Sequence, residues 1–85
     1  MTPSEKLSEL AIDLPAPPAA AGLYKPVLVD GGLLYFSGHL PVKNDGTMIT
    51  GKVGADLSVE EGKAAARQVG LNILASVNQV LGSLD

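Results

Sequence analysis

The chain contains no cysteine. That excludes disulfides, thiol catalysis, cysteine-based zinc sites and iron–sulfur ligation. Histidine occurs once, at His39, and aromatic residues make up only 4% of the chain. Cations are also few: six Lys and Arg stand against nine Asp and Glu, for a net charge of −3. They form no basic cluster, so no nucleic-acid partner is expected. Long apolar runs are missing too, and none approaches the roughly 20 residues of a membrane-spanning helix. No basic start leading into an apolar block follows Met1, so no secretion signal is visible and no membrane partner is expected. The expectation is a soluble, cytoplasmic protein.

What is present is a chain of 85 residues, 46% hydrophobic and 18% charged, a composition that reads as globular. This length has room for one small domain. A chain so short buries only about 60–65% of the surface it exposes when unfolded, so a monomeric core would be marginal.

Punctuation divides the chain into three parts. Residues 1–13 begin with Thr2-Pro3-Ser4-Glu5, a helix start in which Thr2 caps and Pro3 fits the first helical position. Leu7, Leu10 and Ala11 continue it as a short apolar stripe that predicts an end near Ile12-Asp13. Residues 14–23 are rich in proline and alanine and read as an extended connector. From residue 24 to 85 the pattern is that of a packed unit. Pro26-Val27-Leu28-Val29 and Leu33-Leu34-Tyr35-Phe36-Ser37 are β-rich runs separated by Asp30-Gly31-Gly32, and Asp-Gly between such runs predicts a tight hairpin. Asn44-Asp45-Gly46 marks a second turn, and Thr47 to Thr50 reads as a short third strand. Gly51 and Gly54 flank Lys52-Val53 in a loop.

A long helix follows. Ser58-Val59-Glu60-Glu61 is a capping box, and Gly82 is placed to end the helix near Leu81. Ala66, Val69, Ile73, Val77, Val80 and Leu84 fill one arc, with Leu74 and Leu81 at its edge. Glu61, Gln68, Asn72, Ser76 and Gln79 fill the opposite arc and are expected to face water. Gly70 lies on the apolar arc, where its missing side chain would allow close approach to a sheet. The hairpin strands are apolar on both faces, and one helix can cover only one of them. The other face needs a second layer, and both further chain and another subunit are expected to supply it.

Chemistry-bearing groups are sparse. His39 lacks a second nitrogen or sulfur ligand, so no metal site is expected, and nothing calls for a cofactor. Gly51-Lys52-Val53-Gly54 lacks the Gly-Lys-Ser/Thr ending of a phosphate loop. Lys43 and Lys52 read as solvated loop lysines. Ser37 closes an apolar strand beside Gly38, where a hydroxyl and a glycine N–H can meet a ligand carboxylate or carbonyl. The alternative for Ser37 is satisfying turn backbone. Tyr24, just before the first strand, carries an aromatic body and a polar tip.

These residues resemble a known family. Tyr24 and Ser37-Gly38-His39-Leu40-Pro41 are similar to the tyrosine and the Ser-Gly-Gln-x-Pro strand end of the RidA/YjgF family. It is also described as the endoribonuclease L-PSP or reactive enamine/imine deaminase family. Leu14-Pro15, Pro17-Pro18, Gly51 to Gly54, Ala65-Ala66-Arg67 and Leu71 to Ala75 resemble its N-terminally extended branch. The likeness runs from about Leu7 to Asp85 and covers the N-terminal half of the family domain. His39 stands where glutamine is more usual.

The resemblance implies an α+β, chorismate-mutase-like fold: a β-hairpin plus short strand packed on one long amphipathic helix. It implies a homotrimer with ligand clefts between subunits. It also implies hydrolysis of small enamine or imine intermediates, such as 2-aminoacrylate, to a 2-keto acid and ammonia. Tyr24, Ser37 and Gly38 match substrate-binding positions lining the cleft. The family's carboxylate-holding arginine and water-positioning glutamate fall beyond Asp85, and Arg67 does not match that arginine. No catalytic residue is therefore identifiable within these residues, and the 85-residue chain alone is expected to be inactive. A non-catalytic small-molecule-binding or regulatory relative is the alternative. Ribonuclease activity, which some family names assert, is a third reading, against which the acidity counts.

Overall fold

Each helix begins where a hydroxyl can cap it. In a computed structural model that describes residues 1–17 and 25–85, Thr2 caps helix α1 (Pro3–Glu9) by accepting from the Glu5 N–H at 3.2 Å. The helix stops at Glu9, short of the predicted Ile12-Asp13. Ala11 turns left-handed at φ 54°, and the N–H groups of Ala11 and Ile12 fold back onto the Ser8 and Leu7 carbonyls at 3.1 and 3.0 Å. Those bonds close the last turn and bar its extension. The Ser4 N–H donates to Asp85 Oδ1 at 2.9 Å, which ties α1 to the far end of the chain. Most of the connector, residues 18–23, and Tyr24 lie outside the described residues.

Strands β1 (Val27–Asp30) and β2 (Leu33–Phe36) form an antiparallel hairpin in which Val27 pairs with Phe36 and Asp30 with Leu33. The turn residues are therefore Gly31 and Gly32, with φ of 58° and 81°, one position later than Asp-Gly alone predicts. Only glycine takes two successive positive φ values without strain, and Asp30 is left in the ladder. Directly paired residues share a face. Val27, Val29, Leu34 and Phe36 thus lie on one side, and Leu28, Leu33 and Tyr35 on the other.

The predicted third strand does not form. Val42 and Met48 make an isolated bridge instead. Asp45 accepts from both the N–H and the hydroxyl of Thr47, at 2.9 and 2.6 Å, and the Val42 N–H turns back to Leu40 O at 2.8 Å. Pro41 has no N–H to offer. The Lys43 N–H still reaches Thr47 O at 2.7 Å and the Ile49 N–H reaches Pro41 O at 3.1 Å. Pairing is thus confined to that one bridge, while the Val42 and Thr47 N–H groups bond locally.

Helix α2 (Val59–Leu81) spans the predicted range. Both halves of the Ser58–Glu61 capping box are made, and left-handed Gly82 ends it by donating to Asn78 O at 2.8 Å. Its packed face differs from the predicted one. Asn72 and Ser76, expected to face water, are each 1% exposed and flank buried Ala75, whereas Leu74, Val80 and Leu81 are exposed. The packed centre is rotated about 90° from the apolar arc. The reason is chemical: the residues beneath α2 present backbone carbonyls, which need donors. Val27 in β1 and Pro15 are also buried. No helix among them is long and apolar enough to cross a membrane.

Close approach occurs at Gly62, not at Gly70. A Cβ on Gly62 would lie 2.8 Å from Val53 Cγ2, while one on Gly70 meets nothing within 4 Å. Alanine favours a helix interior by about 1 kcal/mol over glycine. Gly62→Ala is expected to forfeit that gain against Val53 and to recover it in a Val53→Ala background. Urea melts of the four proteins measure this, and equal effects in both backgrounds would show that Val53 does not press on the helix.

Acid should loosen the same end. The Ser58 N–H, and then its hydroxyl, hold the Glu61 carboxyl below its ordinary value. A depressed carboxyl contributes stability above its unfolded pKa and loses it as pH falls through the folded one. The hydroxyl of Thr47, then its N–H, act alike on Asp45. Melting temperature is expected to fall below about pH 4, and less steeply in Glu61→Gln. An identical acid profile in that variant would remove Glu61 from the account.

Candidate functional site

β2 ends at Phe36, and the chain runs on as Ser37–Val42 against α2. Ser37 is fixed at the base of β1: its N–H donates to Pro26 O at 3.1 Å and its hydroxyl to Lys25 O at 3.0 Å. The hydroxyl proton is thus engaged with backbone, while the oxygen can still accept. Gly38 is exposed, and among the described residues its N–H has no backbone partner. A Cβ built there would meet nothing within 4 Å, so the Gly38 backbone faces open space. Ser37 and Gly38 therefore offer one acceptor and one donor side by side. Tyr24, the third predicted site residue, lies outside the described residues.

Beneath this strand end runs a polar seam. His39 Nδ1 lies 2.8 Å from Ser37 O, and Nε2 lies 2.9 Å from Ser76 Oγ. A carbonyl only accepts, so Nδ1 carries the proton, and in the neutral ring Nε2 accepts from the Ser76 hydroxyl. A serine bonded to an imidazole is the pairing that activates nucleophiles. Ser76 is 1% exposed, so no substrate reaches it, and the pair serves as a clasp.

One turn earlier, Asn72 Nδ2 donates to Leu40 O at 2.8 Å and to Val42 O at 3.0 Å, while its Oδ1 accepts from Gln68 Nε2 at 3.1 Å. Among the described residues no buried side-chain polar atom lacks a partner. Sequence reasoning missed Asn72 and Ser76 because it placed them with Glu61, Gln68 and Gln79 on the arc opposite the apolar one. The available signal was the Gln68, Asn72, Ser76 ladder at four-residue spacing beside the small Ala65 and Ala75.

Other candidates fall away on geometry. Asp56 Oδ2 accepts from the Lys52 N–H at 3.1 Å, and Lys52 O accepts from the Ala55, Asp56 and Leu57 N–H groups. The Gly51–Gly54 loop is therefore closed on itself, not open as a phosphate cradle. A separate cleft of about 480 Å³ lies between α1 and the end of α2, walled by Leu7, Ile12, Asp13, Leu14, Asn78 and Leu84. It includes neither Ser37 nor Gly38.

Among the described residues, no three His, Asp or Glu side chains converge on a metal position. With both His39 nitrogens engaged, purified protein is expected to retain no stoichiometric zinc after dialysis. Retained zinc that disappears in His39→Ala would overturn this.

Residues 4–85 match the model of the family described as "YjgF/chorismate mutase-like, putative endoribonuclease". Protein TCP17 of Trypanosoma cruzi is 42% identical over 79 residues, which is 93% of this chain and 49% of that protein. Among solved structures, a "putative endoribonuclease" of Shewanella oneidensis MR-1 superimposes with a TM-score of 0.88 at 38% identity. That match covers 99% of this chain and 56% of the other. The protein Atu1372 of Agrobacterium tumefaciens, of unknown function, gives 0.75 at 38% identity, over 93% and 47% of the two chains. The chain spans about half the length of the relatives it matches.

Proposed function

Because the chain belongs to the YjgF/chorismate-mutase-like family and shares its fold, we propose that it supplies one wall of a cleft in which small enamines or imines are hydrolysed. Tyr24, Ser37 and Gly38 form that wall, between subunits of a cytoplasmic homotrimer. The observation that carries this reading is the strand end itself. Ser37 Oγ keeps an acceptor position, and the exposed Gly38 N–H has no backbone partner among the described residues. Together they suit a substrate that has an amine hydrogen to donate and a carboxylate or carbonyl oxygen to accept.

For 2-aminoacrylate the reaction balances without a cofactor. The enamine takes a proton on its terminal carbon to become the iminium ion, and water adds to the C=N carbon with release of a proton. The carbinolamine then expels ammonia and leaves the 2-keto acid. This chain's residues bind and orient. The groups that hold the carboxylate and direct the water belong, in this reading, to the half of the family domain beyond Asp85.

The test compares residues 1–85 with a version joined to the second half carried by its relatives. Hydrolysis of 2-aminoacrylate is expected only in the longer protein, and its absence from both would refute the reading. The second reading is a non-catalytic binder using the same cleft. What favours it is that the described wall, Ser37 Oγ and the Gly38 N–H, offers only an acceptor and a donor. Binding of a 2-keto acid without turnover would select the binder. Salt-dependent RNA cleavage would select the ribonuclease reading instead.

A further inference from the structure

The Ser37–Val42 segment is irregular backbone, yet its side toward α2 is held by side chains rather than by a ladder. Asn72 grips it at two carbonyls with one amide nitrogen, and Gln68 fixes the other end of that amide. His39 and Ser76 add a second tie one turn along. Both anchoring residues of α2 are 1% exposed, so solvent cannot replace them. Apolar contacts tolerate sliding; a donor shared between two carbonyls does not.

We propose that Asn72 is the positioning residue of the candidate site: its buried amide fixes the Ser37–Val42 backbone and thereby the direction in which Ser37 Oγ and the Gly38 N–H face a ligand. This rests on the reading that Ser37 and Gly38 line the cleft. Asn72 itself touches no ligand.

Asn72→Asp separates positioning from bulk packing, because it keeps the shape and removes the donor. At neutral pH its carboxylate faces two carbonyl oxygens, and the grip fails. Burial and those carbonyls raise its pKa. On mild acidification it gains an O–H and can donate to one carbonyl again, so part of the grip returns. Asn72→Ala has no such route. His39, Lys25 and Lys43 are the titratable groups of the segment and its approach, and they are common to both variants, so their own responses subtract out.

The measurement is amide hydrogen exchange of Ser37 and Val42, the N–H groups of the segment that have backbone partners among the described residues, read by NMR on the protein in whatever assembly it adopts. Protection is expected to fall roughly tenfold in Asn72→Asp at pH 7, and to return toward wild type near pH 5 in that variant only. Val27→Ala is the control for general destabilisation. An equal loss in Val27→Ala, or indistinguishable pH behaviour of Asn72→Asp and Asn72→Ala, would overturn the proposal.

Pyruvate serves as the ligand probe in the version joined to the second half. If wild type binds it, Asn72→Asp is expected to raise its Kd several-fold at pH 7 with partial recovery at pH 5. An unchanged Kd would also overturn the proposal. Failure of wild type to bind pyruvate counts against the cleft reading alone, and the exchange data then decide the grip.

Discussion

Expressed as residues 1–85, the chain is expected to sediment as a self-associated species rather than as an 8.7 kDa monomer. Leu28, Leu33 and Tyr35 share the face of the hairpin turned from the packed side of Val27, and Leu33 is 60% exposed. The Val27 face is only partly covered, for Val29 and Phe36 are themselves exposed. Fully burying a side chain of this size is worth about 1.5–3 kcal/mol. Five of them roughly half exposed therefore leave on the order of 5 kcal/mol unrealised. A small domain has only about 5–15 kcal/mol in total. Among the described residues the hairpin also has two open edges, each a template for another strand. Leu33→Lys with Tyr35→Lys should shift sedimentation toward smaller species, whereas Leu81→Lys at the end of α2 should not. A monodisperse, cooperatively folding monomer would show that the exposed hairpin needs no cover.

The second large effect runs against intuition about helices. Asn72→Ala is expected to destabilise the fold by about 2–3 kcal/mol, more than Leu81→Ala, which should cost less than about 1 kcal/mol. Leu81 is 49% exposed and has little burial to lose. Without Asn72, Val42 O loses its side-chain donor, while Leu40 O retains the Val42 N–H. An acceptor stranded in a dry site costs about 1–3 kcal/mol, beyond the bonds themselves. Urea melts at matched protein concentration decide the order, and a larger loss for Leu81→Ala would mean that α2 is held by its apolar arc after all.

What could be read from the residues alone follows the range of the interaction. The Thr2 cap, the Ser58–Glu61 box, the Gly82 stop and the hairpin are local, and each is written in neighbouring letters. The rotation of α2 is not. It depends on the carbonyls of Leu40 and Val42, some thirty positions earlier in the chain. Nothing in the letters of those two residues shows that their backbone lacks a ladder. Apolar periodicity points toward whatever finally covers Ile73 and Val77, and here they are half-buried. At the site, Ser37 and Gly38 were legible as a hydroxyl and a glycine at a strand end. Their support from below was not, because Asn72 and Ser76 look on a helical wheel like any solvated pair.

The polarity of that support also governs how the molecule meets cold. Exposing apolar surface raises heat capacity, whereas exposing polar surface lowers it. The contacts around Val27 and Ala75 therefore weaken on cooling, as apolar burial does. The amide and imidazole bonds from α2 to the strand end carry no such penalty. At low temperature the hairpin should loosen from the helix while Asn72 and His39 still hold Leu40, Val42 and Ser76. Chilling would thus part the hairpin from the helix and leave the clasp shut, so the joint beneath Gly38 would outlast the apolar contacts.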